Sequence, residues 1–341
     1  MLDYFFIGEG NNNTGLGHIN RLSIIASYFL KHNHKVSIFV KNELGKKILM
    51  NLFKKDMIFG LRSINEKINK NKNKVCLFID VFHKNIHNYS YLNEFVKTVI
   101  VVDDYFSNYA FESDILFSIG YKEYPSKHVK NKCSITNQIN HQFSGKDYIV
   151  FRKEFKLKTT FICRKKADRL LVSMGGADPY NLTEFIINTL NENQNTYKID
   201  IIIGPGFSTN RKNKLESLSN RNRHFIKLIY NVSNIPKLMG NADIAIINGG
   251  STRFELTLIG VPFLSISFDK NQGKISNQLA QYGLGIHLGV YKNLNNNFIN
   301  NSIDSLISSF NDRKKISNQL INKLHKNGEG NIYHKTVESL M

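Results

Sequence analysis

The sequence predicts an α/β protein of two domains, each a parallel sheet covered by helices. Three observations predict it. The chain has 341 residues with 41% hydrophobic content, enough for a core in each of two ordinary domains. Short β-branched runs alternate with amphipathic stretches from one end to the other, the order that builds parallel sheets. The strand runs barely alternate in polarity, which implies burial on both faces.

In the first half, Tyr4–Gly8, Lys35–Val40, Val75–Asp80, Val99–Asp103 and Asp114–Ser118 read as strands. Between the first two, Leu22, Ile25, Ala26, Phe29 and Leu30 recur at helical spacing and form one apolar stripe, giving a βαβ unit. The second series runs through Leu170–Met174, Lys198–Gly204, Phe225–Tyr230, Asp243–Asn248 and Pro262–Phe268. Helices are expected at Leu182–Asn191, Ile235–Gly240, Thr252–Ile259 and Lys274–Tyr282. The polar stretch between Gln138 and Asp168 marks the boundary, which divides the chain into residues 1–150 and 151–341. From Ile303 onward the pattern is helical, with Ile303, Leu306, Ile307 and Phe310 on one face. A last helix that crosses back to the first domain is an option of this architecture.

Composition narrows the function classes. The formal net charge is +19, which favours anionic partners. The lysines are dispersed in an Asn- and Ile-rich background, as in Asn65–Lys74 and Asn295–Asn301, and no nucleic-acid reading motif accompanies them, so no nucleic-acid partner is expected. Peripheral contact with an anionic membrane stays open. The first residues place Asp3 and Glu9 around a short apolar run, unlike a secretory signal, and no stretch approaches about 18 apolar residues, so a cytoplasmic protein is expected. Cys76, Cys133 and Cys163 lie far apart without metal-ligand spacing; neither a disulfide framework, a metal nor a cofactor is expected.

Three glycine turns carry the chemistry. Behind the first strand comes Gly10-Asn11-Asn12-Asn13-Thr14-Gly15-Leu16-Gly17-His18, with a helix directly after it. Glycines there let backbone N–H groups approach an anion, and the helix N-terminus adds positive potential. The dinucleotide fingerprint competes, but Asn20 stands where its third glycine belongs. His18 is either a packing residue or a catalytic base; a helix N-terminus disfavours the imidazolium and so keeps a neutral ring able to take a proton. Arg21, one turn on, suits a phosphate or a carboxylate. The second turn is Met174-Gly175-Gly176-Ala177-Asp178, alternatively a plain tight connection. The third is Asn248-Gly249-Gly250-Ser251-Thr252-Arg253-Phe254-Glu255. Ser251 and Thr252 suit helix capping or phosphate oxygens, and Glu255 suits two ribose hydroxyls. Ligands of open α/β sheets bind at such strand ends.

In this order, Gly15-Leu16-Gly17-His18 with Arg21, Met174 to Asp178, Gly249-Gly250-Ser251-Thr252 with Glu255, and Asn271-Gln272 resemble the UDP-sugar hydrolases of pseudaminic acid biosynthesis. The wider superfamily includes spore-coat polysaccharide proteins and the glycosyltransferase that makes lipid II. Asp103-Asp104 and Tyr148 with Phe151-Arg152-Lys153-Glu154-Phe155 add to the resemblance, which covers about residues 1–290. It implies a GT-B fold, two Rossmann-like domains facing a cleft. It implies that Gly250, Ser251 and Thr252 sit near the diphosphate of UDP, that Glu255 holds the ribose, that Gly175, Gly176, Asn271 and Gln272 border the same pocket, and that Gly249 is also substrate-binding. Gly17 and His18 would meet the sugar, and Gly15, Arg21, Asp80 and Arg152 count among the substrate-binding residues. His18 would activate water against the anomeric carbon of a UDP-linked 2,4-diacetamido-2,4,6-trideoxy hexose, a step in building surface glycans such as those on flagellin. A glycosyltransferase using a UDP-sugar donor is the alternative, and a noncatalytic nucleotide-sugar sensor is a third. One departure stands out: the hydrolases carry Asp-x-Tyr where this chain reads Asp80-Val81-Phe82-His83, so the hydroxyl is missing unless His83 or Tyr105 replaces it. Phe117-Ser118-Ile119-Gly120-Tyr121 departs from the family's more amide-rich pattern as well.

Overall fold

The computed structural model describes residues 2–11, 15–71, 74–104, 113–121, 140–157, 159 and 161–341, without the side chains of residues 83 and 84. Tyr105 and Cys133, together with the His83 ring, therefore lie outside the described part. Two compact units emerge, one formed by Met1–Arg152 with His325–Met341 and the other by Lys153–Leu324.

In the first unit, β1 (Asp3–Gly8), β2 (Lys35–Val40), β3 (Ile58–Gly60), β4 (Val75–Asp80), β5 (Thr98–Asp103), β6 (Ile115–Ile119) and β7 (His141–Gly145) form one sheet in the order β3-β2-β1-β4-β5-β6-β7. Every pairing is parallel. All residues of β1, β4 and β5 are buried, as strands covered on both faces must be. Phe5, Phe39, Leu77, Ile79 and Val101 fill one face with Ile64 and Ile68 of α3 (Ile64–Lys70). On the other face α1 (Gly17–Lys31) buries Ile19, Leu22, Ile25, Ala26 and Phe29, the stripe legible in the sequence, though Leu30 stays 41% exposed. The small helix α2 (Glu43–Met50) follows β2, capped by Asn42.

In the second unit, β8 (Arg169–Ser173), β9 (Lys198–Ile203), β10 (Phe225–Tyr230), β11 (Ile244–Asn248), β12 (Phe263–Ser267) and β13 (Ile286–Val290) make a parallel sheet in the order β10-β9-β8-β11-β12-β13. Helices α4 (Leu182–Asn191), α5 (Thr209–Asn220), α6 (Ile235–Gly240), α7 (Thr252–Ile259) and α8 (Lys270–Gln281) connect the strands. Then come α9 (Asn296–Ser308) and α10 (Phe310–Leu320). Ile303, Leu306 and Ile307 are buried on α9, but Phe310 is not on that face: a capping Ser309 breaks the helix and Phe310 opens the next one.

The terminal helix α11 (Gly328–Leu340) belongs to the first unit and packs on α1. Tyr333 meets Phe29 edge-on at 5.0 Å between ring centroids, stacks on His32 at 4.5 Å, and its hydroxyl bonds His34 Nε2 at 3.1 Å. Gly328 admits the close approach, since a Cβ there would lie 2.1 Å from the Ile149 carbonyl oxygen.

Strand order turns back on itself between β1 and β4 in one sheet and between β8 and β11 in the other. Such a reversal opens a crevice at the carboxyl ends of the two central strands. The sequence motifs fall there: Gly15 to Arg21 after β1 and Asp80 at the end of β4; Gly175 and Gly176 after β8 and Asn248 to Glu255 after β11.

Candidate functional site

The N-terminal half-site begins with α1. Gly15 adopts φ of +80°, and its backbone pairs with Asn11 through two hydrogen bonds of 3.0 and 3.1 Å, so the loop closes tightly before the helix. A Cβ on Gly17 would meet nothing within 4 Å, which leaves that face of the helix start open. His18, the second helical residue, is 7% exposed. Its Nδ1 lies 2.9 Å from Oδ1 of Asp80, which is itself fully buried. A terminal nitrogen of Arg21 also stands 3.2 Å from Nδ1, but that nitrogen donates to Asp80 at 2.6 Å and the carboxylate is the nearer partner of the ring; a carboxylate only accepts, so this arrangement favours the proton on Nδ1 and leaves Nε2 as the basic nitrogen.

Arg21, one turn along α1, answers the question the sequence left open: it pairs with carboxylates. Its Nε and one terminal nitrogen donate to Asp80 at 2.7 and 2.6 Å, and the other terminal nitrogen donates to Asp104 at 2.9 Å. This fork is the bidentate geometry in which arginine binds carboxylate best. Burial and the two carboxylates act in opposite directions on the guanidinium, and its pKa is raised; it stays charged. For His18, burial and Arg21 disfavour the imidazolium while the Asp80 hydrogen bond and the Asp80 and Asp104 charges favour it, and the balance raises the pKa above the usual imidazole value. The helix-end argument from sequence pointed toward a neutral ring. Two carboxylates against one arginine outweigh it, because a proton on His18 makes the four-residue cluster electrically neutral.

Phe82 meets the His18 ring edge-on, with centroids 6.4 Å apart and planes at 80°. The chain before it is held by Glu9, a residue outside the sequence-derived site. Glu9 is 5% exposed and accepts from the Phe82 N–H at 3.2 Å, from Asn85 at 2.8 and 3.0 Å, and from the Tyr89 hydroxyl at 3.4 Å. A lone glutamate beside a glycine carries no sequence signal of this. Arg152, the last residue of the first unit before the chain enters the second, is half-buried and follows the buried Phe151.

The C-terminal half-site is a pair of glycine turns tied together by Asn248, the last residue of β11. Its Nδ2 donates to the Met174 carbonyl at 2.8 Å and its Oδ1 accepts from the Gly250 N–H at 3.1 Å. One side chain thus fixes the loops after β8 and β11. Gly175 has φ of +88° and a Cβ there would press on Asn248 at 3.1 Å. The Gly176 carbonyl accepts from the Gly206 N–H at 2.9 Å, and a Cβ on Gly204 would come within 2.2 Å of the same oxygen, so the Gly204-Pro205-Gly206 turn supports the Gly175-Gly176 turn from beneath. Asp178 is structural: buried, it accepts from Leu182 N, Thr183 N and Thr183 Oγ1 at the start of α4 and pairs with Arg211 at 2.6 Å.

Gly249 is pressed against α8, since a Cβ would lie 2.5 Å from Ser276 Oγ and 2.6 Å from Gln272 Cγ. Gln272 is 3% exposed; its Oε1 accepts from the Phe268 N–H at 3.0 Å, which makes it a brace beneath the glycine turn, whereas Asn271 beside it is exposed. Ser251 is exposed at the N-cap position of α7 but forms no side-chain capping bond, and Thr252 is half-exposed behind it. Of the two roles the sequence allowed Ser251, capping is therefore not used. Arg253 is buried and donates to the Gly249 carbonyl, and Glu255, 9% exposed, lies one turn inside the helix. Among the described residues, no group of three or more His, Cys, Asp and Glu is arranged to hold a metal ion, and no helix is long and apolar enough to cross a membrane.

No family model matches the chain. By sequence it is 28% identical over 271 residues to an uncharacterized protein, MJ1062, of Methanocaldococcus jannaschii, a match covering 75% of this chain and 54% of that protein. It is 24% identical over 148 residues to the spore coat polysaccharide biosynthesis protein SpsG of Bacillus subtilis, covering 43% of each. The chain spans about half the length of the curated relatives it matches. Among solved structures, Acinetobacter baumannii MurG superposes with a TM-score of 0.63 at 11% identity, over 96% of this chain and 97% of that one. Anabaena HepE in complex with UDP-glucose gives 0.59 at 12% identity, over 100% and 99%. Methanocaldococcus jannaschii UDP-GlcNAc 2-epimerase, solved with UDP-GlcNAc and UDP, gives 0.59 at 15%, over 98% and 99%. Two Rossmann-like parallel-sheet units with these likenesses establish the GT-B fold.

Proposed function

We propose that this chain is a UDP-sugar hydrolase, with the C-terminal half-site holding UDP and His18 acting at the sugar. The observation that carries the reading is the buried His18–Asp80 pair, which leaves Nε2 as a base while Arg21 and Asp104 balance the charge. In the proposed step, Nε2 takes a proton from water as its oxygen bonds to the anomeric carbon and the bond from that carbon to the UDP oxygen breaks. The imidazolium formed is stabilised by Asp80, and the charge gathering on the diphosphate by backbone N–H groups at the glycine turns. One base suffices because the diphosphate leaves without protonation, unlike the sugar leaving groups that call for paired carboxylates.

The substrate proposed is a UDP-linked 2,4-diacetamido-2,4,6-trideoxy hexose, made on the way to a nonulosonic acid for surface glycans. The order of the four motifs supports it, as does the likeness to a spore coat polysaccharide biosynthesis protein. Glu255, one turn into α7, is the proposed ribose ligand, and Gly250 with Ser251 and Thr252 the diphosphate cradle. The test is to incubate the protein with this UDP-sugar and follow UDP release, then repeat with His18→Ala. Release by the wild type and none by the variant is expected; a wild type that binds UDP yet releases none from the sugar refutes hydrolysis.

A second reading is a glycosyltransferase in which His18 takes the proton of an acceptor hydroxyl. The likeness to solved glycosyltransferases, among them the spinosyn rhamnosyltransferase SpnG at a TM-score of 0.59, favours it. UDP release that begins only when an acceptor is added would establish this reading over hydrolysis.

A further inference from the structure

We propose that Glu9 is a positioning residue for His18, acting through the chain segment from Asp80 to Phe82. The inference rests on the reading of His18 as the base, and it concerns a residue to which no motif points.

Glu9 is the first residue beyond β1, and Gly8 pairs with Asp80 in the neighbouring strand β4, so Glu9 stands beside the point where the chain leaves β4. Its carboxylate reaches across to the Phe82 N–H at 3.2 Å and closes the tips of the two central strands against each other. The other donors converge on it, the Asn85 amide on both oxygens and the Tyr89 hydroxyl on Oε1. All are contributed by the turn-rich segment that follows β4. Tyr89 is buried, and burial together with the Glu9 charge raises its pKa, so its hydroxyl remains a donor. A buried carboxylate with this many donors is satisfied without any group outside its own unit.

The consequence lies two residues back and one ring away. The span of chain that Glu9 anchors holds two neighbours of His18: Asp80, which orients the ring through Nδ1, and Phe82, whose ring meets the imidazole edge-on. Phe82 is one of the groups packed against His18, which is 7% exposed. Glutamine at position 9 keeps the shape but turns one acceptor into a donor, facing Asn85 or the Phe82 N–H with a like group. The segment must then shift.

Two measurements test this, one of which needs no substrate. The first is the rate at which diethylpyrocarbonate modifies His18, read by mass spectrometry of the peptide that contains it. Glu9→Gln and Phe82→Ala are each expected to speed modification several-fold, with the double variant no faster than the faster of the two, because both act through one contact. An unchanged rate in Glu9→Gln, or a double variant in which the two effects add, overturns the proposal. The second is steady-state UDP release from the UDP-sugar. A fall in kcat of about tenfold to a hundredfold in Glu9→Gln is expected, with KM and UDP affinity unchanged, the mark of a displaced catalytic group. Equal losses in kcat and UDP affinity would mean general unfolding and refute positioning. Should Glu9→Gln fail to fold, Asn85→Ala and Tyr89→Phe each remove one donor and serve in both measurements. If the wild type releases no UDP at all, the hydrolase reading fails, whereas the modification rates still decide the role of Glu9.

Discussion

Replacing Asp80 by asparagine removes the charge on which the N-terminal half-site is built while leaving its volume nearly unchanged. In the wild type this fully buried carboxylate accepts from Arg21 at 2.6 and 2.7 Å and from His18 at 2.9 Å. Breaking a buried charge pair from one side costs about 3–5 kcal/mol, because the remaining partner stays buried. Arg21 keeps Asp104 at 2.9 Å, which places the loss near the lower end of that range. With a urea slope of about 2 kcal/mol per molar, the unfolding midpoint of the first unit should fall by about 1.5 M. The effect on turnover is separate. An asparagine amide can present N–H to Nδ1 and so favour the tautomer with its proton on Nε2, the wrong one for a base; the corresponding change in a serine-protease triad lowers kcat about 10⁴-fold. On the proposed hydrolase reading a loss of about 10² to 10⁴ in UDP release is expected, with UDP affinity preserved, since that reading assigns UDP to the glycine turns of the second unit and Asp80 lies in the first. Stopped-time chromatography of UDP at saturating substrate, with urea melts on the same preparation, measures both. Turnover within about threefold of wild type would refute the claim that Asp80 fixes the working tautomer of His18.

Acidification should slow the reaction with an apparent pKa above the ordinary imidazole value, since the balance of Asp80, Asp104, burial and Arg21 raises that of His18. A pH profile of kcat/KM whose acid limb lies at or below the ordinary value would contradict it. The same raised pKa contributes to stability: its share is fully present below the pKa of the unfolded chain and is lost as pH rises through the folded value, which pH-dependent melts of wild type and His18→Ala would reveal. Gly328→Ala would set a methyl 2.1 Å from the Ile149 carbonyl oxygen, so α11 must move; a loss of about 3 kcal/mol is expected in thermal or urea melts, with no change in UDP affinity. Asn248→Ala unties the two glycine turns, and about tenfold to a hundredfold weaker UDP binding by calorimetry should follow from the loss of two hydrogen bonds that order the loops.

Much of the second unit was legible because its helices begin and end at local signals. Leu182–Asn191, Ile235–Gly240 and Thr252–Ile259 have the bounds their periodicity and caps imply, Pro236 and Asn234 opening one and Gly260 closing another. The elements not anticipated are those with weak local signals. Strands β3 and β7 are short edge pieces of the first sheet, β13 follows a double-glycine stretch, α2 and α3 are short helices in lysine-rich sequence, and α5 is a polar helix that buries only Leu215. α8 starts at Lys270, four residues ahead of the expected Lys274, because Asp269 caps it through the Gln272 N–H at 2.8 Å. Among the candidate residues, His18 and Arg21 were nameable from their place at a helix start behind a strand, and Asp80 only through the family resemblance. Glu9 and the bridging role of Asn248 were not, since each acts on a residue about 70 positions away.

Two properties belong to the sequence alone. Hydrophobic periodicity determined the α/β class, and glycines after strands marked where the chain makes tight turns, because both depend on chemistry within a few residues. Tertiary structure decided the protonation chemistry. Position 18 at a helix start argued for a neutral ring, yet Asp80 and Asp104, carried there by β4 and β5, reverse the sign. Electrostatic energy depends on distance in space, and only the pairing order of the strands brings those carboxylates to the histidine.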